Sequence, residues 1–336
     1  MKWYQQTGLE GDTVISSRVR LARNVAEYPF PCRMTQQQRQ EVNEKTRQAI
    51  FDANAGQFEY IDMQKLTPAR AMSLAERHLI SPEFAQERKG RALLLGKDER
   101  VSIMLGEEDH IRIQALSAGL ALDGTLKTAW QLDDVLDEKL RFAFDERLGY
   151  LTQCPTNLGT GLRASLMLFL PAVAQTGAMH NLAAAVAKLG ITIRGTYGEG
   201  SDAKGTFFQI SNQVTLGVTE QEAVKNLMDI AGQIIAQERS LRENLKSRGP
   251  QLEDRIFRSY GILRNARLLS ADEFMSRISD VRLGVGLGMI PEVQLGDVDA
   301  LLWEMQPATL MANAGRNLDA AARDTLRAET VRETLK

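Results

Sequence analysis

A chain of 336 residues exceeds one average domain, and its 43% hydrophobic, 25% charged and 6% aromatic residues describe an ordinary globular protein able to bury a sizeable core. A net charge of −2 argues against a dedicated nucleic-acid binder, which needs a clear cationic excess, while leaving room for a local basic cleft. The two cysteines, Cys32 and Cys154, are too few for a disulfide scaffold or a zinc site and fit a reducing cytosol; with no apolar leader and no apolar run approaching 18 residues, neither a signal peptide nor a membrane span is expected.

In chain order, residues 12–24 alternate as a strand that puts Val14, Ser16, Arg18 and Arg20 on one face. Residues 35–54 follow a Thr cap and read as a mostly polar helix, and 67–80 read as a second, with Pro68 in its first turn. "RALLLG" and "VSIMLG" flank the turn "KDER" as a hairpin, and 108–116 continue as a strand. A long amphipathic helix lies within 122–144; "YLTQ" and "LMLFL" read as strands, 178–189 as a helix and 206–214 as a strand. Thr219, with Glu222 three residues on, caps a long helix that ends near "KSRGP", and 251–284, 297–305 and 316–335 all read as helix. We therefore expect an α+β catalytic domain, residues 1–248, with a mostly antiparallel sheet flanked by helices, and a small all-α domain, residues 249–336.

The familiar phosphate motifs fail. "GRALLLGKD" has five residues between its glycines and Asp98 where a Walker loop needs Ser or Thr, and "LGVGLGMI" lacks dinucleotide spacing. What remains is a set of arginines beside apolar or Gly-rich elements: Arg18, Arg20, Arg112, Arg163 after "LGTG", and Arg194. Guanidinium forks pair bidentately with phosphate oxygens and stay charged, so arginines alone can replace a lysine-and-backbone cradle.

The blocks "SSRVRLAR", "EEDHIR", "CPTNLGTGLRAS", "RGTYGEG" and "ISNQVTLG" resemble, in order, the signature of the ATP:guanidino phosphotransferases, the creatine and arginine kinase superfamily, over about residues 13–245. The resemblance implies that Arg18, Arg20, Arg112, Arg163 and Arg194 embrace the phosphates of ATP carried with Mg2+, that Ser16 and His78 lie near the nucleoside, and that no acidic cage holds the metal. It also implies that Glu108 and Glu199 bind the guanidino substrate. An arginine side chain, with a pKa above about 12, is a poor nucleophile, and paired carboxylates can align it and take up its proton. Cys154 matches the family's reactive cysteine, with a plain buried thiol as the equal alternative; His110 and His180 read as structural.

Two departures narrow the resemblance to the bacterial protein-arginine kinases within that superfamily. The first signature block begins by residue 15, without the helical N-terminal domain of small-guanidine kinases, and a helical extension follows the catalytic blocks. Within it "RDTLRA" puts Arg323 and Arg327 one turn apart beside Asp324 and Ala328, a resemblance to a phosphoarginine-receptor motif in which two guanidinium groups would grip the phosphoryl group. The expectations are a cytoplasmic kinase of exposed arginines on protein substrates, acting in stress response and protein quality control. Its partners by resemblance are a Clp ATPase, a heat-shock repressor, a zinc-binding activator and its own copies in a homodimer or higher oligomer. The alternatives are a kinase of free arginine or another small guanidine, and a non-catalytic phosphoarginine-binding module.

Overall fold

The computed structural model describes residues 1–54, 57–195, 204–247 and 249–336. Its centre is an eight-stranded antiparallel sheet, built from β1 (Val14–Arg23), β2 (Phe58–Asp62), β3 (Ala92–Gly96), β4 (Val101–Leu105), β5 (Ile111–Ala118), β8 (Leu162–Phe169), β9 (Ile191–Gly195) and β10 (Phe207–Asn212). The order is β2-β3-β4-β5-β1-β8-β10-β9, so the strand carrying Arg18 and Arg20 sits centrally between β5 and β8. A separate two-stranded ribbon joins β6 (Phe144–Asp145) to β7 (Gly149–Tyr150).

The alternation of β1 divides the molecule. Its odd residues Val19 and Leu21, with Ile113, Ala164 and Leu166 of the neighbouring strands, join a core formed with α1 (Gln36–Asn54), α4 (Leu122–Asp137) and α7 (Glu220–Ser247). The opposite face carries a second core, where Leu116, Met167 and Phe169 meet α2 (Pro68–Glu76), α3 (Pro82–Gln86) and the helices that follow Pro250. Those are α8 (Gln251–Asn265), α9 (Ala271–Gly286), α10 (Leu295–Glu304), α11 (Pro307–Ala314) and α12 (Ala320–Thr334); between α4 and α7 lie α5 (Pro171–Gln175) and α6 (Met179–Ala187). The C-terminal helices thus share one continuous core with the sheet. Arg282 of α9 fixes the junction: fully buried, it donates to Asp299 at 2.7 Å and to the carbonyls of Gly11 and Asp12.

Several boundaries differ from the sequence reading. The helix expected over 67–80 stops at Glu76 because His78 adopts φ 60°, a left-handed residue that closes the helix and turns its ring back toward the sheet. The stretch 251–284 is two helices, broken at Ala266, with Ser270 Oγ accepting the Glu273 amide at 3.2 Å to restart the second. "YLTQ" is a strand only at Tyr150, since the amide of Gln153 turns away to the Asp109 carboxylate at 2.8 Å. The capping box at Thr219 forms as read: Thr219 and Glu222 exchange bonds at 2.8 and 3.2 Å.

Candidate active site

Residues directly opposite in an antiparallel pair share a sheet face. Arg20 stands opposite Arg163 of β8 and Gln114 of β5, and Arg18 opposite Ser165. Ala22 stands opposite Arg112, while Gln209 of β10 lies between Met167 and Arg194. Arg18, Arg20, Arg112, Arg163 and Arg194 all line one cavity of about 440 Å3, together with His78 and Gln209. Ser16 lies farther along the same face, buried, and does not line the cavity.

The glycine turn has a different task from cradling phosphate. Gly159 and Gly161 take φ 107° and 62°; a Cβ would strike the Thr215 carbonyl at one and the Ala22 carbonyl at the other. Their freedom lets the loop lie flat on β1 and on the segment before α7, delivering Arg163 into the face beside Arg20.

Among the described residues the charge in this cavity is unevenly spread. Arg112 is answered by three acids, with Glu107 at 2.5 Å, Glu108 at 2.9 Å and Asp109 at 3.8 Å. Burial pulls its pKa down, but the three carboxylates outweigh burial and hold it above the ordinary value. Among the described residues Arg18 has neutral partners, Ser165 Oγ at 3.2 Å and Gln209 Oε1 at 2.6 Å. Burial, then Arg163 and Arg112, push it down to about 10. Arg20 falls well below its ordinary range through burial and the neighbouring arginines, and Arg163 is lowered by burial with Arg194 and Arg112. The Nε atoms of Arg20 and Arg163 are buried without a hydrogen-bond partner among the described residues. Such a cavity is a binding site for a polyanion whose oxygens would satisfy several forks at once.

The acidic loop is anchored from behind. Asp109, fully buried, accepts Asn24 Nδ2 at 2.7 Å and the Gln153 amide, while His110 Nδ1 accepts the Val25 amide at 2.9 Å and Nε2 meets the Pro29 carbonyl at 2.8 Å. His110 is thus a neutral strut, lowered by burial. The loop leaves Glu108 partly open, with Asn157 Nδ2 at 3.5 Å from the Glu108 oxygen that Arg112 also holds. Cys154 precedes the turn carrying Asn157, and its Sγ lies 3.0 Å from Thr156 Oγ1. Glu199, the second expected carboxylate, lies outside the described residues. Glu107 and Asn157 were missed: the sequence showed three acids before Arg112, but spacing selected only one of them.

His78 lines the cavity and meets Trp303 of α10 edge-on, ring centroids 4.8 Å apart. Burial, then Arg18 and Arg20, push its pKa down to about 3. Unfolded histidine titrates near 6.5, so between about 6.5 and 3 the unfolded chain binds a proton that the folded one refuses. The contribution is complete above pH 6.5 and is lost as pH falls, by at most about 1.4 kcal/mol per pH unit. His78→Asn, which tolerates the left-handed backbone, is expected to flatten the loss of stability between pH 7 and 5 in urea unfolding. An unchanged slope would show that His78 titrates normally.

The C-terminal motif does not present two guanidinium groups side by side. Arg327 is 1% exposed and donates to the Met305 carbonyl at 2.9 Å, the Leu269 carbonyl at 2.7 Å and Asp324 at 2.7 Å, with Ala328 buried beneath it. Arg323 is half-buried, held by the Leu318 carbonyl at 3.0 Å. Arg323 and Asp324 form the accessible pair, and Arg327 positions the aspartate.

Residues 41–241 match the family model for the ATP:guanido phosphotransferase C-terminal catalytic domain, and 249–336 that for the protein-arginine kinase McsB C-terminal domain. The chain is 46% identical to the protein-arginine kinase of Geobacillus sp. (strain WCH70), across 99% of this chain and 93% of that protein. It is 47% identical to that of Caldanaerobacter subterraneus subsp. tengcongensis, across 95% and 96%. Among solved structures, lombricine kinase superposes with a TM-score of 0.63 at 25% identity, covering 71% of this chain and 69% of that one. The duplicated taurocyamine kinase of Schistosoma mansoni, with bound transition-state-analogue components, superposes with a TM-score of 0.63 at 28% identity, covering 75% and 37%. Among the described residues no helix is long and apolar enough to cross a membrane.

Proposed function

This chain belongs to the protein-arginine kinases of the ATP:guanido phosphotransferase family, and we propose how its own residues carry out the transfer. Arg18, Arg20, Arg112, Arg163 and Arg194 bind the phosphates of ATP. The convergence of five guanidinium groups on one cavity carries the assignment. Guanidinium groups cannot ligate a cation, so a magnesium would be held by the nucleotide's phosphate oxygens and water, and would supply charge neutralisation on the transferring group. Glu108, at the open edge, receives the substrate guanidinium with Glu199. A guanidino nitrogen attacks the γ-phosphorus, its bond to the ADP oxygen breaks, and the proton lost from nitrogen passes to a carboxylate. The arginine forks hold the phosphoryl oxygens in line throughout.

The substrate is arginine on other proteins. In the same proposal residues 1–248 form the catalytic domain and 249–336 a phosphoarginine-recognising one, and the enzyme works in the cytoplasm with the family's Clp ATPase, repressor and activator partners. The test incubates an unfolded protein and equimolar free arginine with Mg-ATP, then reads phosphoarginine by mass spectrometry at neutral pH, which spares the acid-labile P–N bond. Phosphorylation confined to free arginine would overturn the protein substrate.

Arg323 and Asp324 recognise the phosphoarginine product, the guanidinium taking the phosphoryl group and the carboxylate the guanidino nitrogens. The double variant Arg323→Ala/Asp324→Ala is expected to bind a phosphoarginine peptide at least about tenfold more weakly, within the range of lost charge-assisted pairs, with ATP affinity retained. Unchanged peptide affinity by calorimetry would leave the pair without that role.

A further inference from the structure

A second cationic site lies on the outer side of the acidic loop. Arg39, Arg88, Lys89 and Arg91 line a groove of about 690 Å3 that also touches Glu107 and Gln153, the residues preceding Glu108 and Cys154. Three of the cations are held in place by backbone. Arg91 donates to the Gly106 carbonyl at 3.1 Å and the Glu83 carbonyl at 2.9 Å, Arg39 to the Gly106 and Pro31 carbonyls, and Arg88 to the Leu66 carbonyl. Gly106 takes φ 76° and accepts both guanidinium groups directly before Glu107, so the groove and the catalytic loop share one hinge of backbone.

Among the described residues the groove's cations outnumber the acids paired with them. Arg91 pairs with Glu87 at 3.0 Å, and Glu107 is engaged by Arg112 and Ser81. Arg39, Arg88 and Lys89 have no ion-pair partner among the described residues. Half-buried guanidinium groups anchored on carbonyls lose little freedom when they bind, and each keeps N–H donors for a further acceptor. A carbonyl anchor does not neutralise a cation, so the groove presents pre-positioned positive charge to whatever crosses it.

The groove reaches Glu107, next in the chain to Glu108, so the neighbours of a protein-borne arginine held at Glu108 have this rim beside them. We propose that the groove formed by Arg39, Arg88, Lys89 and Arg91 binds acidic side chains flanking the target arginine, making the enzyme selective for arginines in acidic sequence. This deepens, and rests on, the assignment of protein arginine as substrate. Groove and catalytic pocket then divide the polypeptide by charge: the acidic loop takes the guanidinium, the basic rim its carboxylate neighbours, and a strongly basic segment is turned away.

The test uses the full-length enzyme and four Gly-Ser peptides with one arginine each, flanked by glutamates on the N-terminal side, on the C-terminal side, on both sides, or by lysines on both. A fifth, unflanked peptide is the reference. Wild type is expected to favour at least one glutamate peptide over the reference by about fivefold or more in kcat/KM, carried by KM, with the preference shrinking as salt rises. Arg88→Gln/Lys89→Gln is expected to lose the preference and keep the reference rate, which also reports that the variant is folded. Lys89→Glu, at an exposed position with no ion pair among the described residues, is expected to invert it. Equal rates on all five peptides, a preference for lysine flanks, or an acidic preference that survives both variants would overturn the proposal while leaving the kinase assignment intact. Failure to phosphorylate any peptide would instead sink the protein-arginine assignment and this proposal with it.

Discussion

Arg163→Ala is expected to lower kcat about 10²–10³-fold, the usual cost of removing one positioned donor from a transferring group. The fold supplies an unusual control for this result. In the free protein Arg163 makes a hydrogen bond of 3.3 Å to Ser211, and its buried Nε has no partner among the described residues. It also lowers the pKa of Arg18 and Arg20 by repulsion across the cavity. Deleting it removes little that stabilises the fold and relieves like-charge repulsion, so the urea midpoint should hold or rise while turnover collapses. Near-normal turnover in such a folded variant would mean that the end of β8 does not face the phosphates. A collapse of turnover together with stability would make the residue structural instead.

Glu108→Gln is expected to reduce kcat about 10²-fold or more, within the range for losing a positioned base, with ATP affinity within a few-fold of wild type. The geometry separates these two quantities. Glu108 shares Arg112 with Glu107 at 2.5 Å and Asp109 at 3.8 Å, so the arginine stays held when one of its three acids becomes an amide. Glutamine keeps the size and can still accept from Asn157 and Arg112, but it neither attracts a guanidinium strongly nor takes its proton. Steady-state kinetics on a protein substrate, with nucleotide binding by calorimetry, distinguishes the roles. Lost ATP affinity with an unchanged maximal rate would place Glu108 in the nucleotide site.

Much of the fold was legible because it rests on local rules. Alternation along 12–24 placed Arg18 and Arg20 on one face, the hairpin signals around "KDER" gave antiparallel pairing, and the Thr219–Glu222 box opened the long helix where it forms. The convergence of Arg112, Arg163 and Arg194 on that face was legible only through the family blocks, since register between strands distant in sequence leaves no trace in either strand. Other features had no local signal. The break before α9 has neither Gly nor Pro, only the Ser270 cap. Arg327 looked like a solvent-facing partner of Arg323 because helical spacing reports direction, not what lies there. The carbonyls that bury it come from Met305 and Leu269, in segments the periodicity of α12 does not encode. The basic rim escaped for a similar reason: Arg39 belongs to α1 and Arg88, Lys89 and Arg91 to a loop, and only the Gly106 carbonyl brings the first and last together.

The continuous core between the sheet and the C-terminal helices has a practical side for anyone wishing to work with the kinase half alone. Cutting near the start of α8 would divide a single apolar body: Phe169, Phe207 and Met104 would lose their cover, and Trp303 would be taken from the ring of His78 at the cavity wall. Glu76, which now receives the Ala308 and Thr309 amides at 2.9 and 2.7 Å, would turn from a helix cap into a stray carboxylate beside the arginines. A shortened gene product would thus be sticky and wrongly charged at once, and its silence in an assay would say nothing about whether the removed helices take part in catalysis. Surface changes within the intact chain are the better scalpel.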